Sequence, residues 1–124
     1  MVTADELGTR LFAAIEAGAV DVLRDEIYAP DAVIWHNLDG AEQGVDDNLR
    51  TLRWVARHVT GLCYDDVRRE PTPTGFVQQH ILRGTAPGGE LAVPACLVVT
   101  VDGDRITRID EYLDSAAVAA LRGA

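Results

Sequence analysis

The sequence predicts one α+β domain in which a curved antiparallel sheet wraps over three N-terminal helices. Three observations lead there. Segments with helical periodicity stop at Gly61, and only one strand-like run, Ala32 to Asn37, interrupts them. From Leu62 to Asp114 the chain reads as four strands. These are separated by the turn-forming stretches Pro71 to Gly75, Ala86 to Gly89 and Asp102 to Asp104, spacing that suits a meander. Helices segregated from an antiparallel sheet make an α+β domain, and a sheet curved over helices leaves a conical cavity as the natural site.

Each element has a local reason. Thr3 and Glu6 form a capping-box pattern before Leu7, Leu11 and Ile15, which recur at helical spacing until Gly18. A short second helix follows, with Val20, Leu23 and Ile27 on one side and Pro30 as its expected stop. Ala32-Val33-Ile34-Trp35-His36-Asn37 is β-branched and aromatic, hence a strand closed by Asp39-Gly40. Val45, Leu49, Leu52, Ala56 and Val59 mark a third helix, with Asp46 and Asp47 early and Arg53, Arg57 and His58 late, as the helix dipole favours. Pro94 lies inside a strand pattern, which predicts a bulge or an unpaired edge. Ser115 is placed to cap a short C-terminal helix, Ala116 to Leu121.

Composition narrows the function. At 124 residues, with 48% hydrophobic residues and a mean hydropathy of +0.02, the chain is one globular domain, residues 1–124. A formal net charge of −9 argues against nucleic acid, anionic membrane and acidic substrates, and so favours a small neutral, apolar molecule. No basic-then-apolar leader opens the sequence and no apolar run is long enough to span a bilayer, so a cytoplasmic location is expected. Cys63 and Cys96 lack metal-ligand spacing and are expected to be reduced and buried. No metal or other cofactor is expected.

The chemistry-bearing residues lie on the strands. Alternation through Arg105 to Leu113 puts Thr107, Ile109, Glu111 and Leu113 on one face, and Ile106, Arg108, Asp110 and Tyr112 on the other. Glu111 therefore sits between apolar residues, where a carboxylate must be paired, protonated or open to a cavity. Such a carboxylate suits a general base, and a salt bridge to Arg83 or Arg108 is the plainer reading. His80 shares a face with Phe76, Gln78 and Leu82, a polar stripe that would line the cavity, and its imidazole titrates in the useful range. His36 and Asn37 are adjacent, so regular alternation lets only one face inward. Trp35 and Trp54 read as core residues, and Tyr112 as an interface residue. Leu91 to Val101 is apolar on both faces, which predicts a sheet covered on both sides and hence a homodimer.

The element order, with Tyr28-Ala29-Pro30-Asp31-Ala32 leading into the first strand, resembles the nuclear transport factor two superfamily over essentially the whole chain. That cone-shaped, cystatin-like α+β roll is shared by ketosteroid isomerase, SnoaL-like polyketide cyclases, scytalone dehydratase and limonene-epoxide hydrolase. Trp35-His36-Asn37, and Val93-Pro94-Ala95-Cys96 running on to Asp110-Glu111-Tyr112-Leu113-Asp114, are most similar to the SnoaL-like and limonene-epoxide hydrolase branch. The resemblance implies that Glu111 stands where the hydrolase keeps a water-positioning aspartate, and that Trp35 and Asn37 stand where a tyrosine and an asparagine hold that water. His80-Ile81-Leu82 replaces the hydrolase's Arg-x-Asp, so Leu82 occupies the place of the acid that protonates the epoxide. By analogy with ketosteroid isomerase the base would be His36. The two analogies differ by one residue over which side of the first strand faces in, and a one-residue slip exchanges every side chain between faces.

The sequence thus points to cofactor-free acid–base or water-activating chemistry: isomerisation, cyclisation, dehydration or hydrolysis of a small apolar molecule. Glu111, His80, His36 and Asn37 are the catalytic candidates, and Trp35, Phe76, Gln78 and Leu82 the substrate-binding ones. A non-catalytic ligand-binding or accessory domain of the same fold is the alternative.

Overall fold

The computed structural model describes residues 2–122. Helix α1, Ala4–Glu16, starts on Thr3, whose Oγ1 accepts the Glu6 amide at 3.1 Å. Its buried side, Leu7, Leu11 and Phe12, faces the sheet. Gly18, at φ +69°, turns the chain into α2, Val20–Val22, which runs on as a π-helical turn, Leu23–Ile27. Then come strand β1, Tyr28–His36; a two-residue strand β2, Glu42–Gln43; and α3, Val45–His58. Four long strands follow: β3, Thr60–Thr72; β4, Gly75–Ala86; β5, Gly89–Asp102; and β6, Arg105–Leu113. A 3-10 turn, Ala117–Arg122, comes last.

The six strands form one sheet in the order β2-β1-β6-β5-β4-β3. The meander from β3 to β6 is antiparallel, as expected. The sheet as a whole is mixed, however, because β1 lies parallel to β6. A parallel neighbour needs a long crossover, and here α3 and the whole meander supply it before the chain returns beside β1. The consequence for function is direct: the parallel register sets His36 opposite Glu111.

Three local departures from simple alternation have physical reasons. β1 begins at Tyr28, so Pro30 does not stop a helix but sits inside the strand. Pairing passes from Tyr28↔Ile106 to Val33↔Arg108, and Pro30 falls within that irregularity, where its missing N–H breaks no ladder bond. In β6 the register jumps from Ile106↔Val101 to Arg108↔Thr100, leaving Thr107 as a bulge. The bulge brings Ile106 into the core beside Ile109, contrary to strict alternation, while Ile109, Glu111 and Leu113 keep the inward face. Pro94 pairs with Ile81 without a bulge, and its carbonyl accepts the Asp114 amide at 3.4 Å, so its ring nitrogen faces the side where β6 has ended.

The main core lies between the helices and the concave face of the sheet, with Leu7, Leu11, Leu23, Ile27 and Ile106 all at 0% exposure. A second apolar cluster, Val59, Ala86, Leu91, Val93 and Val118, fills the other end of that face beneath the 3-10 turn. That turn is held by the Gly88 amide donating to the Ala120 carbonyl at 2.8 Å, and Asp114, not Ser115, accepts the Ala116 amide. Trp54 is 40% exposed and stacked on His58, so it is a surface residue and not part of the core. Cys63 and Cys96 are free thiols, half-buried where full burial was expected. Among the described residues no helix is long and apolar enough to cross a membrane.

Candidate active site

The concave face collects the polar groups at two depths. Nearer one side, β1 and β6 bring His36 Nε2 to 2.9 Å from Glu111 Oε1, with the two side chains 21% and 20% exposed. This pair is the partner that an inward carboxylate requires. The arginines take other acids: Arg83 pairs with Asp65, and Arg108 with Glu42 and Asp110. Burial alone would lower the His36 pKa, but the hydrogen bond and charge of Glu111, with the charge of Asp39, outweigh it and raise it above the ordinary value. The imidazole is thereby biased toward its charged form beside an acid.

Around the pair a partly open cavity of about 60 Å³ is walled by Leu11, Phe12, Ile34, Leu97 and Ile109. Tyr28, Tyr64 and Asn48 add polar atoms to it. The buried Tyr28 hydroxyl donates to Asn48 Oδ1 at 2.9 Å. Burial, and then the negative charge of Glu111, raise the pKa of both phenols, so each remains a hydroxyl donor at neutral pH. The sequence reading missed Tyr28, Tyr64 and Asn48. Tyr28 enters the sequence reading only in the stretch that leads into β1, Tyr64 lies unremarked within the strand from Leu62, and Asn48 stands next to Leu49 on the helix face that turns inward.

Deeper along β4, His80 is 4% exposed and Gln78 0%. Gln78 Nε2 lies 2.9 Å from His80 Nδ1, and Arg69 Nε donates to Gln78 Oε1 at 2.8 Å. The His80 ring packs edge-on against Tyr64 and Phe12, at centroid distances of 4.6 and 5.4 Å, and both of those rings line the cavity. Desolvation dominates the His80 pKa and lowers it, despite the opposing charge of Glu111, so this imidazole is neutral. In register, β5 alone separates it from β6, and Ala95, opposite His80, contributes only a methyl group to that space.

The structure therefore pairs Glu111 with His36 in the cavity and packs His80 against the lining rings of Tyr64 and Phe12, itself outside the lining, and it removes other candidates. Asn37 is exposed, with its amide locked to β6: Nδ2 donates to the Leu113 carbonyl and Oδ1 accepts the Leu113 amide. Trp35 points to the opposite, outer face, where its Nε1 donates to Gly40 and its ring packs against Tyr112, because β1 alternates and His36 takes the inward position. Gln78 is not free for substrate, since both ends of its amide are occupied. Phe76 is 1% exposed at the core beneath Arg69, and Leu82 packs into the second apolar cluster. The one-residue ambiguity of β1 is settled in favour of His36. Among the described residues no three His, Cys, Asp or Glu side chains converge on a metal position.

A larger open groove of about 790 Å³ lies on the outer face, lined by Val67, Arg68, Ile81, Cys96 and Tyr112 among others. Asp66 and His80 are also among its lining residues, but the hydrogen-bonded His36–Glu111 pair lies in the smaller inner cavity, which is therefore the candidate active site.

Fold and site together define a class: a cone-shaped α+β domain with a titratable pair at its centre. Solved structures share that fold at low sequence identity. A candidate SnoaL-like polyketide cyclase from Shewanella putrefaciens superposes with a TM-score of 0.82 at 14% identity, covering 96% of this chain and 95% of that one. A candidate isomerase from Bacillus subtilis gives 0.81 at 12% identity, covering 98% and 94%. A protein of ketosteroid isomerase-like fold from Catenulispora acidiphila, solved with trimethylamine, gives 0.75 at 17% identity, covering 96% and 94%. No curated protein matches the sequence. The SnoaL-like domain family matches residues 9–109, and the chain belongs to that family.

Proposed function

We propose that the protein is a cofactor-free acid–base catalyst acting on a small, neutral, largely apolar carbonyl compound, with isomerisation or intramolecular cyclisation as the reaction type. The observation that carries this reading is the 2.9 Å contact between His36 and Glu111 inside an otherwise apolar cavity. Glu111 is the base: Oε1 is engaged by His36, leaving Oε2 for a proton α to the carbonyl. His36 holds the Glu111 side chain in place through that contact. Charge that develops on the carbonyl oxygen would be met by neutral donors, the Tyr64 hydroxyl in the cavity wall and the His80 imidazole packed on Tyr64 outside the lining, reached as substrate widens the cavity. Returning the proton to another carbon completes an isomerisation, and attack of the enolate carbon on a second carbonyl completes a cyclisation.

A volume of about 60 Å³ holds about two water molecules, so substrate must displace these and widen the cavity. Ile15 and Leu52 are the half-buried lining residues between α1 and α3 through which it would enter. Leu82 lies in the second apolar cluster, which offers no acid to protonate an epoxide and speaks against epoxide hydrolysis.

The test is deuterium exchange into a panel of small neutral enones and diketones in heavy water. The wild-type chain is expected to accelerate exchange, and Glu111→Gln to lose about a hundredfold or more of that acceleration. No acceleration with any member, or equal rates for the two proteins, would overturn the reading. The small volume is the one feature that favours a non-catalytic binding domain, and a ligand recovered unchanged after long incubation would support that alternative.

A further inference from the structure

The proposed chemistry leaves open which nitrogen of His80 carries its proton, and a buried chain of hydrogen bonds answers this. Arg69 enters from β3 with its side chain 14% exposed. Its Nη1 donates to the Asp5 carbonyl at 3.0 Å, to Asp5 Oδ1 at 3.1 Å and to Thr9 Oγ1 at 2.9 Å, and its guanidinium lies over the Phe12 and Phe76 rings. Four anchoring residues on α1 and β4, Asp5, Thr9, Phe12 and Phe76, leave the guanidinium one orientation, with Nε aimed at Gln78. Guanidinium nitrogen can only donate, so the atom of Gln78 that faces it must be the carbonyl oxygen. The amide nitrogen then has to face His80, and an amide nitrogen also only donates, so His80 Nδ1 must accept. In a neutral imidazole the hydrogen is then on Nε2, on the far side of the ring. That atom is buried and has no hydrogen-bond partner among the described residues. An unpaired buried donor is costly, and such groups persist where a ligand or water meets them.

We propose that Arg69 and Gln78 are positioning residues that lock His80 as the Nε2–H tautomer, so that behind the cavity-lining rings of Tyr64 and Phe12 it stands as a hydrogen-bond donor and not as a proton shuttle. The groups facing the ring agree with this. Phe12 from α1 and Tyr64 from β3 are aromatic edges, Gln78 from its own strand donates, and Glu111 beyond β5 is the nearest acid acting on it. No acceptor among them invites a proton onto Nδ1. The ligand this favours is one presenting a single acceptor, a carbonyl oxygen gaining charge, toward the Nε2 side of the ring.

The proposal rests on the cavity being an acid–base site, but its key step is measured without any substrate. Long-range proton–nitrogen correlation NMR on the full chain reads the tautomer from the ring nitrogen shifts. At pH 7 the wild-type protein is expected to show His80 with a protonated Nε2 and an unprotonated Nδ1. Gln78→Glu places an acceptor at Nδ1 that still satisfies Arg69, and is expected to move the proton to Nδ1 or to produce imidazolium. Gln78→Met removes the donor and is expected to leave a mixture of tautomers. A wild-type His80 protonated on Nδ1 overturns the proposal, as does a folded Gln78→Glu protein with the tautomer unchanged. The expected NMR result together with no exchange activity would reject the catalytic reading of the cavity and keep the tautomer lock. If exchange is found, Gln78→Glu is expected to lower kcat by about a hundredfold with little change in KM, the signature of a lost transition-state donor.

Discussion

Gly8 offers a sharp test of how rigid this chain of hydrogen bonds is. It lies inside α1, where alanine would ordinarily gain about 0.8–1.0 kcal/mol of helix propensity. A β-carbon at this position, however, would sit 2.8 Å from Arg69 Nε, 2.9 Å from Arg69 Cζ and 3.0 Å from the Phe76 ring. An exposed arginine would swing away at little cost. This one is held at its other end by Asp5 and Thr9 and flanked by Phe12 and Phe76. Moving the guanidinium to an ordinary contact distance stretches the 2.8 Å bond to Gln78 past good geometry. A charge-assisted hydrogen bond contributes about 1.5–3 kcal/mol, and a fully buried amide oxygen left unpaired adds further cost. Gly8→Ala is therefore expected to destabilise by about 1–3 kcal/mol net, against the sign that helix propensity gives. Urea unfolding followed by circular dichroism measures this as a lower midpoint at unchanged slope. A variant more stable by about 1 kcal/mol would show that the guanidinium is slack and that it fixes nothing downstream.

Other consequences can be checked with the same preparations. Tyr28→Phe removes the buried bond to Asn48 and is expected to cost about 1–2 kcal/mol in urea unfolding. Asn37→Ala removes two bonds to Leu113 at a site away from the cavity, so it is expected to lower stability while leaving exchange activity intact. The outer face carries Val67, Val98 and Tyr112 at 45%, 40% and 49% exposure, and a second copy is proposed to cover it. Light scattering is expected to give twice the chain mass at micromolar protein, and Val98→Lys to give the monomer.

Much of this architecture is visible in the residues, and the exceptions are instructive. The meander was legible because each of its turns carries glycine or proline between period-two strands, and Asp102↔Arg105 closes its last hairpin as read. Glu111 was legible because a carboxylate between Ile109 and Leu113 breaks an apolar face. The Thr107 bulge was not, since nothing in Arg105-Ile106-Thr107-Arg108 distinguishes an extra residue from a paired one. The parallel β1–β6 pairing was also hidden, because strand order is a long-range choice that alternation within either strand does not encode. Without it His36 and Asn37 stayed equivalent. Arg69 was overlooked because one arginine among several charges on β3 reads as surface, and only the partners at its tip show otherwise. The Asn48–Tyr28 bond joins α3 to β1 across 20 residues, a contact that neither local pattern announces.

The two inward histidines share one concave face, yet their surroundings divide them, and pH separates their contributions. His36 gains an acid partner, so its pKa in the folded chain lies above the unfolded value of about 6.5. Its stabilisation is complete below that value and disappears as pH rises through the raised, folded pKa. His80 loses solvent and gains no acceptor, so its folded pKa lies below about 6.5. Its contribution is present above that value and is lost as pH falls through the depressed pKa. Unfolding free energies measured from pH 5 to 8 for His36→Gln and His80→Gln should therefore diverge. The His36 variant should lose most, relative to wild type, at the acid end, where the wild-type imidazole is charged. The His80 variant should lose most at the alkaline end, where the wild-type ring is wholly neutral. Pairs of titratable groups driven apart in this way mark acid–base roles in enzymes. Here the division gives each imidazole a different task, one positioning the Glu111 side chain and the other offering a hydrogen bond. If both variants showed the same pH trend, the environments would not differ as the structure has them, and the assignment of roles would fail with that result.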